Sequence, residues 1–381
     1  MKKIWILTLG MFALGMDTYI VAGLLPDMGS TFHKNSAQIG QGVTVFTLIF
    51  ALSAPIFSTI LAKYSVKKIL LVALFTFGLA NIMTMFSMNY SFYILSRCIA
   101  GLGAGLFSPM AVSSGGHLVE EKYKGKAIAF IVGGMSVGTV VGVPVGLQLA
   151  NLFDWRWTIG VIVIISIGAF ISIYIFFPNF KLPATPSLKE RFSLFVNAHV
   201  LRVVSVTICA AIASLGLYTY LSQVISEYLS PNYISLFLTF WGFGGLIGSF
   251  GVGFIIDKFK NTRYLMLLIL IVLALSILLI PILIKIPIFS VIPFLLWGAM
   301  GWATQAPQQH ILLKNHENHG SASVALNSSL NYLGSALGAA LGGLLLAQGF
   351  HINSLIYSAF VVVVLGILIQ LVNIMIDKRR I

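Results

Sequence analysis

Apolar stretches of about twenty residues, separated by short polar connections, dominate this sequence. The first reads IWILTLGMFALGMDTYIVAGLL over residues 4–25 and contains a single acid, Asp17. A helix of this length crosses the ~30 Å hydrocarbon core of a bilayer. Because 58% of the residues are hydrophobic and only 9% are charged, we predict an all-α polytopic membrane protein with twelve transmembrane helices. The predicted spans are 4–25, 38–62, 69–87, 91–114, 127–150, 156–177, 200–223, 233–256, 264–284, 288–312, 321–347 and 352–376.

The positive charges fall mostly on one predicted side of the membrane. With a cytoplasmic N-terminus, nineteen of the 23 Lys and Arg residues lie inside, whereas Lys34, Arg156 and Lys285 lie outside and Arg97 lies within the fourth span. Cytoplasmic loops carry an excess of Lys and Arg, so we expect a cell-membrane protein with both termini in the cytoplasm. The formal net charge of +13 then faces the inner leaflet, and nothing supports nucleic-acid binding.

The N-terminus and the cysteines give no sign of processing or cofactors. The first span is too long for a signal peptide, contains Asp17 and is followed by no A-x-A site, so we interpret it as an uncleaved helix. Cys98 and Cys209 each lie in an apolar segment, and His316 and His319 share a loop. We therefore expect no disulfide, no metal site and no cofactor.

The two halves of the sequence look like repeats. Segments 58–68 and 253–263 occupy equivalent connections at an offset of 195 residues. A capping-box pattern at 187–190 predicts an amphipathic helix on the membrane surface between the halves. Two parallel halves of six spans are typical of transporters, with the substrate site at the midplane between the halves. The predicted domains are a six-helix bundle at 1–177, a cytoplasmic linker at 178–199 and a second six-helix bundle at 200–381.

Glycines four residues apart form a ladder in the fifth span and another in the eleventh, at an offset of 196. Small residues on one helix face allow close helix packing in lipid. We interpret both ladders as packing faces and, as a functional hypothesis, as the contact over which the halves rock. Pro144 adds a predicted bend. The ladders are Gly138, Gly142 and Gly146, and Gly334, Gly338 and Gly342.

Two further motifs lie in the loop after the eighth span and in the fourth span. Gly253-x-x-x-Asp257-Lys258 is similar to the loop motif of the major facilitator superfamily. Its first-half copy keeps Lys63 but has Ser58 and Ala62 where the family usually has glycine and an acid. Arg97-x-x-x-Gly101-Leu-Gly103-Ala-Gly105 resembles the arginine motif of the fourth helix, and the glycine ladder of the fifth span resembles the antiporter motif.

Together with FALGMDTYIVAGLLPD (12–27), DWRW (154–157) and residues 325–343, these motifs are similar to the twelve-helix drug:proton antiporter branch, near sugar-efflux and chloramphenicol-resistance-type permeases. The resemblance implies a monomeric transporter whose partners are a small-molecule substrate, protons and the lipid bilayer. It also implies a gating loop formed by the Gly253–Lys258 motif and Lys63. The family often has glutamate in place of Asp17, and it often has a proline near Gln223 that bends the seventh span. Because this chain lacks that proline, the sequence does not decide whether its seventh span bends.

Asp17 and Arg97 are the candidate proton-coupling residues. They lie about 12 Å and about 9 Å from the outer ends of their helices, at 1.5 Å per residue. Both helices line the central cavity in the resembling fold, so we predict that the two side chains lie near each other, in direct contact or joined through water. Burial disfavours a charged carboxylate and a nearby guanidinium favours it, so such a site can take up and release a proton. The alternatives left open are a structural hydrogen bond for Asp17 and backbone hydrogen bonds for Arg97.

The leading functional hypothesis is proton-coupled efflux of drugs or metabolites by alternating access, with no enzymatic activity. One alternative is a facilitator for a sugar or nucleoside, in which Asp17 is structural, and a distant one is a non-transporting receptor. Polar and aromatic side chains in the cavity-lining helices are candidate substrate contacts, although hydrogen bonding between helices is an alternative for each. These candidates are Asp17, Tyr218, Tyr220, Gln223, Trp302, Gln305, Gln309 and Asn331, with Asn327 on the same face as Asn331.

Overall fold

The structure, a computed structural model, describes residues 2–182, 197–256, 258, 261–315 and 320–378. These residues form helices joined by short connections, and no strand occurs among them. The chain divides into two compact units, Met1–Pro186 and Ser187–Ile381. The predicted amphipathic helix of the linker lies outside the described residues and stays a prediction.

Within residues 2–182 of the first unit, seven α-helices make six spans. Two of them, α5 and α6, form a single span and are joined by a π-helical turn at Gly138–Gly142. Such turns hold one extra residue inside a helix. The helices are α1 Lys2–Phe32, α2 Ser36–Ile60, α3 Val66–Met85, α4 Tyr90–His117, α5 Lys124–Val137, α6 Val143–Leu152 and α7 Trp155–Phe176.

The first helix is longer than its apolar stretch. It continues through Pro26 to Phe32 and ends at His33, whose φ of 51° is left-handed. The backbone N–H of Lys34 then donates to the carbonyl of Gly29 at 3.0 Å. This closure satisfies one of the carbonyls that a helix end otherwise leaves without a donor.

The described part of the second unit contains nine α-helices, because three of its six spans are interrupted, at Tyr220, Leu279 and Thr304. Pro281 and Pro307 explain the last two interruptions, since each proline lacks the N–H that would continue the helix. The helices are α8 Ala198–Thr219, α9 Leu221–Tyr228, α10 Ile234–Ile256, α11 Thr262–Leu278, α12 Ile280–Leu283, α13 Ile292–Ala303, α14 Gln305–Asn315, α15 Gly320–Ala347 and α16 Ile352–Lys378.

The interruption at Tyr220 settles the question of the seventh span. This span bends without a proline: Tyr220 has φ −107° and ψ 19°, and its N–H donates to Leu217 at 3.0 Å. The ring of Tyr220 packs where a side chain on Gly342 would otherwise lie, and its hydroxyl donates to the carbonyl of Ala339 at 2.7 Å. Contacts with another helix thus accompany the bend at a position where the sequence has no helix breaker.

Both units pack their spans in the same order, which confirms the fold class. Within each unit the first span packs on the fifth, the second on the fourth and the third on the sixth. Ten segments of the described chain are long and apolar enough to cross a membrane. The other two predicted spans are built from shorter pieces, α11 with α12 and α13 with α14. The protein is thus a multi-pass membrane protein with two pseudo-symmetric bundles of six spans.

Candidate functional site

A buried ion pair joins the first and fourth spans of the first unit. Arg97 Nη1 on α4 donates to Asp17 Oδ1 on α1 at 2.8 Å, and both residues are 0% exposed. The Arg97 guanidinium carbon also lies 4.5 Å from the centroid of the Phe46 ring on α2. The two side chains, which the depths and the resembling fold predicted to lie near each other, are in direct contact, while the role of this pair in proton coupling stays a prediction.

Glycines of the arginine motif bring the neighbouring helices close to α4. A Cβ on Gly101 would lie 2.5 Å from the carbonyl oxygen of Phe46, and one on Gly103 would lie 2.6 Å from the backbone nitrogen of Phe77 on α3. Because neither position can carry a side chain without a backbone shift, α2 and α3 approach α4 directly. This approach places Phe46 against the guanidinium of Arg97.

The ion pair leaves two polar atoms without hydrogen bonds. Asp17 Oδ2 and Arg97 Nε are buried and have no partner among the described residues. A buried polar group without a partner costs free energy, and in native proteins it calls for an explanation such as a functional role or a bound water. Oδ2 of Asp17 is therefore an atom to which a proton can add without displacing a protein donor.

We expect Arg97→Met to destabilise the protein by roughly 3–5 kcal/mol, because it leaves the Asp17 carboxylate buried and uncompensated. The double variant Asp17→Leu, Arg97→Met should regain most of that loss, since neither charge then remains. Thermal unfolding of the purified protein in detergent measures both.

Lys122→Met is the matched control for these two variants. Lys122 and Glu120 form an ion pair of the same 2.8 Å length, but their side chains are 64% and 72% exposed. Exposed pairs contribute at most about 1 kcal/mol. A double variant no more stable than Arg97→Met would contradict the assignment of the destabilisation to the unpaired charge.

The glycine ladders pack helices within each unit. Side chains on Gly138 and Gly142 would meet Phe12 and Met16 of α1, and Gly146 lies against Thr158 of α7 and the Met16 side chain. The ladder of the second unit lies against α8 in the same way, with Gly338 facing Ile212 and Gly216. Both faces thus make close contacts within their own unit, which fits their interpretation as packing faces, while their role as the contact over which the halves rock stays a prediction. Pro144 lies in the first turn of α6, directly after the π-helical turn.

Two predicted substrate contacts, Tyr218 and Tyr220, are engaged by their own unit. Tyr218 is 3% exposed and its ring centroid lies 4.1 Å from that of Trp241. Tyr220 is 0% exposed and is held by Ala339. Gln223, on α9, is half-buried. The structure thus gives both tyrosines packing roles, and their role in substrate binding stays a prediction.

Residues of the tenth and eleventh spans form a hydrogen-bonded chain. Gln305 Nε2 donates to Asn331 Oδ1 at 2.7 Å, and Asn327 Nδ2 contacts Gln305 Oε1 at 3.5 Å. The hydroxyl of Thr207 donates to Asn327 Oδ1 at 2.6 Å. Thr207 was not among the predicted contacts, because in the sequence it is one of several hydroxyl residues in an apolar helix.

The interruption at Thr304 separates Trp302 from Gln305 and Gln309, the three predicted substrate contacts of the tenth span. Trp302 belongs to α13 and packs edge-on against Trp241 at 5.8 Å, whereas Gln305 and Gln309 belong to α14. Gln309 is half-buried. Gln308, which was not among the predicted substrate contacts, is 1% exposed and donates to the carbonyl of Val203 at 3.0 Å. The face predicted for one continuous helix is therefore divided between two.

The predicted gating loop is described only in part. Asp257 lies outside the described residues. Lys63 is exposed at the end of a 3₁₀ turn, Lys258 is exposed near the end of α10, and a Cβ on Gly253 would meet nothing within 4 Å. The gating role of these residues stays a prediction.

Comparison with known proteins gives one family. The family model described as Major Facilitator Superfamily matches residues 7–339. Among curated proteins, the chain is 26% identical over 343 residues to "Uncharacterized MFS-type transporter YbcL" of Bacillus subtilis (strain 168), covering 90% of this chain and 88% of the relative. It is 25% identical over 348 residues to "Inner membrane transport protein YdhP" of Escherichia coli (strain K12), with 90% and 88% covered. It is also 25% identical over 356 residues to "Putative transporter AraJ" of the same strain, with 93% and 90% covered.

Proposed function

Since the chain belongs to the major facilitator superfamily, we propose that it is a proton-coupled antiporter that exports small organic molecules, drugs or metabolites, across the cell membrane. The family and the relatives make it a membrane transporter of the secondary type. Proton coupling, export, cytoplasmic termini and function as a monomer belong to the proposal.

The observation that carries the proposal is the buried ion pair of Asp17 and Arg97. A charged residue at membrane depth is costly, and by default it marks a functional site. Asp17 is the one acidic residue within the predicted spans. Its partner lies at 2.8 Å and its second oxygen has no partner among the described residues. This arrangement supports a carboxylate that is stable while charged and still has an oxygen free to accept a proton.

The proposed cycle couples inward movement of protons to outward movement of substrate. In the inward-open state Asp17 is deprotonated and paired with Arg97, and the substrate binds from the cytoplasm. In the outward-open state a proton from outside adds to the Asp17 carboxylate, weakens its charge-assisted hydrogen bond to Arg97 and promotes substrate release. The protonated carrier returns, and the proton leaves to the cytoplasm.

Transport into proteoliposomes under an imposed pH gradient tests the proposal. We expect vesicles with an acidic lumen to accumulate a substrate above its bath concentration, because protons leaving the lumen drive the substrate inward. The panel comprises cationic dyes, chloramphenicol, sugars and nucleosides. A protonophore should abolish the accumulation.

Protein-free liposomes with the same gradient are the control, since weak bases redistribute across membranes without a carrier. Flux that runs only downhill and does not respond to the pH gradient would instead identify a facilitator. That result would reject proton coupling while leaving the transporter assignment in place.

A further inference from the structure

The second unit contains a continuous chain of uncharged polar side chains. It runs from the Thr207 hydroxyl to the amides of Asn327, Gln305 and Asn331, through contacts of 2.6, 3.5 and 2.7 Å. In each contact the oxygen of one amide accepts from the preceding group, so the chain ends at the amide nitrogen of Asn331. That nitrogen is a donor with two hydrogens. Thr207 and Asn327 are buried, whereas Gln305 and Asn331 are half-buried. The more accessible end of the chain is therefore the end formed by Gln305 and Asn331.

The helix that carries Gln305 is interrupted next to it. Thr304 separates α13 from α14, and Pro307 cannot donate to the carbonyl of Ala303, which lies four residues before it. Interrupted spans are the usual place for substrate groups in transporters, because the freed backbone carbonyls join the side chains as ligands. The interruption and the amide chain are independent observations, and both point to the same place in the unit.

Few charged residues lie near the amide chain. The predicted spans contain one acid, Asp17, and it is paired with Arg97 in the first unit. Helices α8, α13, α14 and α15 carry no acidic residue within their described parts, and their Lys and Arg residues, Arg202 and Lys314, lie five residues from Thr207 and nine residues from Gln305 along the helices. A charged solute that binds in this environment loses its hydration shell, and no opposite charge among the described residues beside the amide chain compensates for that loss. An uncharged solute with hydroxyl or amide groups can exchange hydrogen bonds with water for hydrogen bonds with the chain.

We infer that the transported solute is uncharged and rich in hydroxyl or amide groups, and that Thr207, Asn327, Gln305 and Asn331 bind it. The inference rests on the proposed transport function and narrows its substrate class to neutral hydroxylated compounds. Asn331 and Gln305 contact the solute, while Thr207 and Asn327 orient the amides of the chain. A lipophilic cation is excluded as the preferred substrate.

Solute exchange at equal pH on both sides of the proteoliposome membrane tests the inference. The probes are radiolabelled glucose, uridine and chloramphenicol as uncharged solutes, and tetraphenylphosphonium and ethidium as permanent cations. We expect the wild type to exchange at least one uncharged probe and neither cation. Exchange of a cation, or of none of the uncharged probes, would overturn the inference.

Two variants examine the amide chain itself. Gln305→Glu keeps the shape of the side chain but adds a negative charge, so we expect at least a tenfold loss of exchange of the neutral probe and a gain of cation exchange. Thr207→Val removes the first donor and should lower exchange about five- to tenfold. Size-exclusion profiles of the purified variants establish that they are folded.

Ser328→Ala is the matched control. Ser328 lies on α15 between Asn327 and Asn331, and its hydroxyl donates to Val324 one turn earlier at 3.1 Å. Neutral exchange within twofold of the wild type in folded Gln305→Glu and Thr207→Val proteins would also overturn the inference. Because solute exchange needs no pH gradient, this experiment tests the binding of the solute separately from proton coupling. Proton coupling is tested by the experiment with an imposed pH gradient.

Discussion

Asp17→Asn is expected to abolish substrate accumulation driven by a pH gradient while leaving measurable downhill exchange. Asparagine has nearly the shape of aspartate, and its amide oxygen can still accept from Arg97 Nη1 at the 2.8 Å position. It cannot take up a proton as a carboxylate does. A variant that still exchanges substrate but no longer accumulates it therefore locates the coupling proton on this side chain rather than on the fold.

The control is Asp27→Asn, the same substitution on the same helix at an exposed position. We expect it to couple like the wild type. Accumulation by Asp17→Asn at the wild-type level would show that the proton binds elsewhere, and the buried pair would then be a structural link between α1 and α4. Loss of both accumulation and exchange in a folded Asp17→Asn protein would place Asp17 in substrate binding instead.

The proximity of Asp17 and Arg97 was predicted from the resembling fold, in which both helices line the central cavity, and from two quantities that a sequence contains. One is the rarity of charge inside an apolar span, and the other is depth, which follows from residue count and helical rise. The rotation of α1 and α4 that brings the two side chains together does not follow from the count. On the side of α4, this rotation accompanies the close contacts of Gly101 with α2 and of Gly103 with α3.

The amide chain of the second unit was predicted only in part for a related reason. Spacing placed Gln305 on one face with Trp302, but the interruption at Thr304 assigns them to different helices. Thr207 belongs to the amide chain because its hydroxyl donates to Asn327, which is 120 residues away in the sequence. Pro307 could have predicted the interruption, whereas the bend at Tyr220 has no counterpart in the sequence and accompanies contacts with Ala339 and Gly342.

Gly138→Ala is the second substitution from which we expect a large effect, in this case a loss of stability. Gly138 begins the π-helical turn, and a methyl group there would overlap the carbonyl of Phe12 and lie 3.0 Å from the backbone nitrogen of Met16. Both neighbours are backbone atoms of α1, so no side chain can rotate away and the whole helix has to move. Overpacking of this kind costs about 1–3 kcal/mol, and we expect the unfolding temperature in detergent to fall by roughly 5 °C.

Transport should fall with stability in this variant, because Met16 is the residue before Asp17 and a displaced α1 carries the carboxylate away from Arg97. Gly133→Ala, in the same helical span, is the control: a methyl group there meets nothing within 4 Å. Glycine to alanine inside a helix otherwise stabilises by about 0.5–1 kcal/mol, so this control should be neutral or slightly more stable. Equal behaviour of the two variants would mean that the glycine ladder is not a close contact with α1. A stable Gly138→Ala protein that has lost only transport would instead indicate that the π-helical turn has to move during the transport cycle.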